Sequence, residues 1–324
     1  MTDPRPHLHD LHDHLHDAVV LGAGPAGLAA ALMLGRTHRD VVVLDSGAYR
    51  NDPTDAMHNV LGFDGVAPAE FRAAAHRTLA AYETVELRRA TAHDVAPLDP
   101  AAPGDGFVVR TDTGDVAGRR LLLATGVRDE LPSTPGLPEL FGTVAAHCPY
   151  CHGHEFSGTP VAILGAGPHV PKVAGLMERI ASRVLVLADG APVDPEVRAA
   201  LDARGVAVRP QKVLRLEPAT LDAGQAGARA VLEDGGEELL GGLMVAPTMH
   251  QAAPFADRLG LDLRASGCVA VDAFGRTSMP GVLAAGDLAH TADFPMPVSS
   301  VTAAMAAGQL AAASIDADLL TTPR

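Results

Sequence analysis

The chain has no tryptophan, and its aromatic residues amount to only 3%. A platform of stacked rings for single-stranded nucleic acid has little to be built from. Lysine is scarce as well: Lys172 and Lys212 are the only two, and arginine carries the remaining basic charge. Acidic residues outnumber basic ones by 39 to 25, for a formal charge of −14. That sign opposes nucleic-acid phosphates and anionic membranes as partners. Cysteine occurs three times, at Cys148, Cys151 and Cys268, too few for the disulfide scaffold of a secreted domain. A long uncharged run, residues 18–35, has the wrong flanks for a signal peptide, since Asp and His precede it. Its Gly22-Ala23-Gly24-Pro25 interruption suits a buried strand, a turn and a helix better than a membrane span. The expectation is a cytoplasmic protein with no nucleic-acid or membrane partner.

With 324 residues, 47% of them hydrophobic, the chain has material for about two domains. Residues 1–16 hold His7, His9, His12, His14 and His16 among aspartates. They read as a disordered, solvated tail outside the fold, with metal binding as the alternative. From residue 17 short apolar runs alternate with helix-like segments. Residues 18–21 and 41–44 read as buried strands around a helix over 28–34. Residues 107–111 and 121–124 read as strands of a smaller sheet. Residues 161–164 open a second strand–glycine–helix unit, and 184–187 is its next strand. Short strands follow at 243–247, 268–271 and 282–284, before an Ala-rich closing helix over 301–319. Two such units at separate places predict an α/β fold with two doubly wound, Rossmann-like domains.

The first glycine loop is Gly22-Ala23-Gly24-Pro25-Ala26-Gly27. It follows a strand and opens a helix, the context in which this spacing binds a dinucleotide. Gly22 allows a tight turn, Gly24 lets a pyrophosphate reach the backbone, and Gly27 permits close packing of helix on strand. Asp45, about twenty residues on, is placed to accept from a ribose. The second loop is Gly165-Ala166-Gly167-Pro168-His169-Val170, with valine where small residues belong. Its next strand runs into Asp189, and no Lys or Arg occurs from 184 to 197. An NADPH 2′-phosphate calls for Arg there, whereas Asp189 suits only an NADH ribose. The loop is therefore either degenerate or directed to NADH.

Cys148-Pro149-Tyr150-Cys151 is flanked by His147, His152 and His154. Two cysteines at this spacing close a small redox disulfide, and a neighbouring imidazole can carry a proton during thiol exchange. Zinc is the competing reading, but the adjacent Cys151 and His152 suit a tetrahedral site poorly and no second CxxC exists. Two structural thiols are a third reading. The expectation is redox chemistry and no metal, with Cys268 structural.

The ordered set of these motifs, with Leu123-Ala124-Thr125-Gly126 and Gly281-Val282-Leu283-Ala284-Ala285-Gly286-Asp287, resembles the low-molecular-weight thioredoxin reductases over about residues 17–318. The resemblance implies a homodimer and an FAD domain over 17–126 and 246–324, with a pyridine-nucleotide-like domain inserted at 127–245. It carries FAD residues over as Gly22, Gly24, Gly27, Asp45 and Asp287. The expected set is completed by Pro25, Ala26, Ser46, Asn59, Thr125, Gly126, Gly286, Ser299, Ser300 and Val301. His58 is expected to border the flavin beside Asn59.

Where those reductases follow the second cysteine with Asp, this chain has His152. The run from Cys148 to Glu155 resembles the dithiol oxidases of gliotoxin and holomycin biosynthesis. That resemblance implies oxidation of a small dithiol to an intramolecular disulfide, with O2 as acceptor and H2O2 as product. Cys148 would be attacked, Cys151 would face the flavin, and His152 or His154 would act as base. The alternatives are an NAD(P)H-dependent disulfide reductase, a non-catalytic redox sensor and a structural zinc protein.

Overall fold

The computed structural model describes residues 14–321. The chain forms two compact units. The first comprises the stretch to Arg50, Ala69–Arg128 and the stretch from Met249; the second comprises Asn51–Pro68 and Asp129–Thr248. Residues 51–68, placed with the FAD domain by sequence, cluster with the second unit instead.

The sheet of the first unit contains β1 (Leu15–Leu21), β2 (Val41–Asp45), β3 (Val85–Arg89), β4 (Ala92–Pro97), β5 (Phe107–Thr111) and β6 (Val116–Leu123). Their spatial order is β3-β2-β1-β6-β5-β4, and Val282–Ala284 pairs with β6 as a seventh strand. The pairs around β1 are parallel, whereas β4–β5 and β5–β6 are antiparallel. Residues 107–111 and 121–124 were expected in a separate smaller sheet. They join the main one, because β6 pairs with β1 from Leu15↔Ala117 to Leu21↔Leu123.

Side chains alternate across this sheet. Ala18, Val20, Val41, Val43 and Leu122 face the helix Pro25–Arg36 and the closing helix Val301–Thr321. Val19, Leu21, Val42, Leu44, Leu121 and Leu123 pack in the opposite layer with Phe107, Phe255 and Val269. Both faces are buried, so the central strands read as continuous apolar runs. The two helices touch closely: a Cβ on Gly308 would lie 2.1 Å from the Ala26 carbonyl oxygen.

β1 also corrects the expected tail. It begins at Leu15, and His16 is 4% exposed; the remainder of the expected tail, residues 1–13, lies outside the described residues. His16 pairs opposite Gly118, and a side chain at Gly118 would strike Val19.

The second unit has a five-stranded parallel sheet in the order Ala207–Arg209, Arg183–Leu187, Pro160–Leu164, Gly242–Met244, Ala145–Ala146. A three-stranded antiparallel sheet, Val213–Thr220, Ala226–Leu232 and Glu237–Leu240, packs in the same core. No helix among the described residues is long and apolar enough to cross a membrane.

Candidate active site

The first glycine loop is formed by local sterics. The Gly22 N–H donates to the Leu44 carbonyl at 2.9 Å, and its φ of +107° belongs to glycine. A Cβ on Gly22 would lie 2.5 Å from the Ala124 carbonyl oxygen, and one on Gly27 would lie 1.9 Å from the Gly22 carbonyl oxygen. Nothing lies within 4 Å of the place where a Cβ on Gly24 would project. The loop is thus packed tight at Gly22 and Gly27 and open at Gly24, where the helix begins with Pro25 and Ala26. An open backbone at a helix N-terminus fits a pyrophosphate.

Asp45 ends β2 and is buried. Its Oδ1 accepts from the Gly47 N–H at 2.8 Å and its Oδ2 from the Tyr49 hydroxyl at 2.6 Å. Burial, then Asp45, pushes the Tyr49 phenol well above its ordinary range, so Tyr49 stays a donor. These bonds use two of roughly four acceptor directions of the carboxylate. Ser46 follows Asp45 directly in the chain. The Arg50 guanidinium donates to Asp287 Oδ2 at 2.6 Å, a partner that sequence reading missed because 237 residues separate the two. Gly286 has φ +86°, and a Cβ there would meet the Ala26 side chain at 3.1 Å. Thr125 precedes Gly126, which has φ +69° and accepts at its carbonyl from the Ala252 N–H. The Ser300 hydroxyl accepts from the Ala303 N–H at 3.1 Å, so Ser300 caps the closing helix that starts at Val301; Ser299 precedes it.

In the second unit Cys148 and Cys151 form a disulfide. The zinc reading of the pair fails in this oxidised state, because bonded sulfurs are not thiolate ligands. Pro149–His152 makes one helical turn, with the Cys151 and His152 N–H groups donating to the Cys148 carbonyl at 3.1 Å. A Cβ on Gly153 would lie 2.3 Å from the Pro149 carbonyl oxygen, which explains the glycine that ends the turn. Cys268 is buried in the first unit, and its thiol donates to the Asp287 carbonyl at 3.6 Å. Burial raises that thiol's pKa, which keeps it protonated and inert.

The two candidate histidines separate clearly. His152 is half-buried; its Nε2 lies 3.2 Å from the Thr54 hydroxyl, and it shares a hydrogen bond with the Gly142 backbone. Burial lowers its pKa below the usual imidazole value, against an opposing pull from the Glu155 carboxylate. It is therefore neutral near pH 7 and able to accept a proton. His154 is exposed, one residue beyond the turn's end. His58 and Asn59, expected to border the flavin, lie at the cysteine turn. Asn59 Nδ2 donates to the Tyr150 carbonyl at 2.6 Å. His58 Nε2 lies 3.4 Å from Glu155, and its ring meets that of His152 edge-on at 6.2 Å. Thr54, Asn59 and Glu155 surround the turn, and only spatial pairing across about ninety residues reveals it.

The second glycine loop starts like the first and then diverges. Its helix begins only at Val170, the position equivalent to Gly27, and the Val170 side chain is fully buried. The His169 ring lies 2.9 Å from where a Cβ on Gly167 would sit. Asp189 Oδ2 accepts from the Thr134 hydroxyl at 3.0 Å, and Oδ1 accepts from the Val213 N–H at 2.8 Å. Arg209, opposite Leu187 on the adjacent strand, donates to Glu238, as does Arg183. Arg209, which the fold brings to this strand end, is already paired.

A dinucleotide cradle in one unit and a CxxC disulfide in the other define the chain as a disulfide oxidoreductase. The family model described as pyridine nucleotide-disulphide oxidoreductase matches residues 16–309, and the chain belongs to that family. Thioredoxin reductase sirT of Leptosphaeria maculans is 33% identical over 93% of this chain and 94% of its own. Thioredoxin reductase aclD of Aspergillus oryzae is 34% identical over 94% and 96%. Among solved structures, HlmI superposes with a TM-score of 0.83 at 34% identity, covering 94% of this chain and 93% of that one. An oxidoreductase from Agrobacterium tumefaciens gives 0.84 at 30% identity, covering 96% and 100%. The protein is a thioredoxin reductase-like flavoenzyme, and its cofactor is FAD.

Proposed function

We propose that the enzyme oxidises a small-molecule dithiol to an intramolecular disulfide, with O2 as the final acceptor. A substrate thiolate attacks Cys148 and releases Cys151 as a thiolate. The second substrate thiol then displaces Cys148, so the substrate leaves as a cyclic disulfide and both cysteines are left as thiols. His152, neutral and beside the turn, takes the substrate proton, with Thr54 and the Gly142 backbone holding its ring. Exposed His154 is assigned no proton. Bound FAD would supply the two-electron acceptor that restores the Cys148–Cys151 disulfide, with O2 as the final acceptor and H2O2 as product. Gly22, Gly24, Pro25, Ala26, Gly27 and Asp45 would hold that cofactor, with Thr125, Gly126, Gly286, Asp287 and the residues from Ser299 to Val301.

The observation that carries this reading is the second glycine loop, where a buried Val170 stands at the third position and the helix starts only there. Asp189, the group an NADH ribose would need, already accepts from the Thr134 hydroxyl and the Val213 N–H. The resemblance of the run from Cys148 to Glu155 to the dithiol oxidases supports a place in disulfide natural-product biosynthesis of the holomycin, dithiolopyrrolone type. We take the working form to be a cytoplasmic homodimer with domain limits at about residues 127 and 245.

The test is anaerobic mixing. A small dithiol such as dithiothreitol should bleach the flavin band of the wild-type enzyme and not that of Cys148→Ser. NADH and NADPH should leave the band intact. Rapid bleaching by either nucleotide, or full bleaching of the variant by the dithiol, overturns the proposal.

A further inference from the structure

His14 immediately precedes β1 and His16 is its second residue; their rings meet edge-on with centroids 4.3 Å apart. The His14 Nε2 lies 3.4 Å from Asp40 Oδ2, and the His16 Nδ1 lies 2.9 Å from Asp40 Oδ1. All three donor atoms lie within 4.8 Å of one another. Two ligand atoms bound to one zinc ion at about 2.0–2.2 Å, at a tetrahedral angle, are about 3.4 Å apart. The His14–Asp40 separation equals that spacing, and the His16–Asp40 contact at 2.9 Å is the hydrogen bond an ion would replace.

The three groups are also held in place. His16 is buried and fixed by pairing opposite Gly118. Asp40 is tied to β1 through its backbone: its N–H donates to Asp17 Oδ2 at 3.2 Å, and its carbonyl accepts from the Ala18 N–H at 3.2 Å. The neighbouring carboxylates are committed elsewhere. Asp17 faces Arg119 at 3.4 Å and Arg39 at 4.0 Å, and Glu86 accepts two bonds from Arg88. Asp40 alone of these three contacts the imidazoles directly, while Glu86 acts on them through charge at longer range.

We propose that His14, His16 and Asp40 bind a divalent transition-metal ion of the zinc class, clasping the first residues of β1 to the turn before β2. The ligand types suit zinc, with solvent as the fourth ligand. This replaces the expectation of no metal. It is independent of the cysteine pair, because all three ligands belong to the first unit.

The full chain, stripped with a chelator, is titrated with zinc sulfate by calorimetry. We expect one zinc per chain and an increase in Tm. Asp40→Asn and His14→Ala, both at accessible positions, should each weaken binding by at least about ten-fold and remove the increase in Tm. The triple variant His7→Ala, His9→Ala, His12→Ala should bind zinc as the wild type does. Absence of saturable uptake, wild-type affinity in Asp40→Asn, or loss of binding in the triple variant overturns the proposal.

Discussion

Gly22 and Gly165 occupy the same place in their respective units. Each follows a buried strand, takes a positive φ (+107° and +113°) and donates its N–H to the carbonyl at or near the end of the next strand. Beyond that point the two turns part. At Gly22 a side chain would collide with the Ala124 carbonyl, whereas around Gly165 there is open space. At the third motif position the first loop excludes even a methyl group, and the second buries a valine completely. The first helix runs Pro25–Arg36 and the second only Val170–Met177. A glycine pattern therefore specifies the turn, and the third position decides whether the helix end stays close enough to meet a phosphate.

The sharpest break of this comparison is Gly27→Val. Its Cβ has no place to go, since the obstacle is backbone. We expect a loss of about 3 kcal/mol and purification with little bound flavin, read from the 450 nm band and chemical denaturation. If Gly27→Val retains full flavin, the tight packing of the first loop is not what shapes its site.

The next test falls on the second loop. Asp189→Ala leaves the Val213 N–H and the Thr134 hydroxyl without their acceptor, and replaces Asp at φ +54°. We expect about 1–3 kcal/mol of destabilisation by urea melting, with flavin content unchanged. A variant as stable as the wild type would mean that Asp189 is not structural and remains available to a ribose.

The smallest effect concerns protons. The neutral form of His152 is the base, so the dithiol-driven rate should fall as pH drops through its pKa, which burial sets below about 6.5. The Glu155 carboxylate raises that pKa, so Glu155→Gln should move the acidic limb to lower pH. Stopped-flow pH profiles of wild type and variant decide it; a limb that stays put or moves upward removes His152 from the role.

Sequence reading reached the parts whose causes are local. The turn at Gly22, the cysteine pair, the closing helix and the buried strands each depend on residues within a few positions. It failed where the partner is distant. The Thr134 hydroxyl that engages Asp189 lies 55 residues away. The Tyr150 carbonyl that engages Asn59 lies 91 residues on. The start of β1 passed for a tail, since its histidines and aspartates mask a period-two pattern that only β6 can bury. The absence of arginine over 184–197 was correct but incomplete, because the adjacent strand brings Arg209 to the same end.

The close seat of Gly308 on Ala26 bears on how the protein is made. The helix that opens the flavin loop is covered by a helix encoded almost three hundred residues later, and β6 awaits its neighbour at Val282–Ala284. Residues 129–248, by contrast, have their own sheet and core on hand much earlier in synthesis. On the ribosome the cysteine-bearing unit can close while the flavin sheet, with six of its seven strands already made, still lacks Val282–Ala284. The helix that opens the flavin loop is therefore fully covered only once the last helix has emerged.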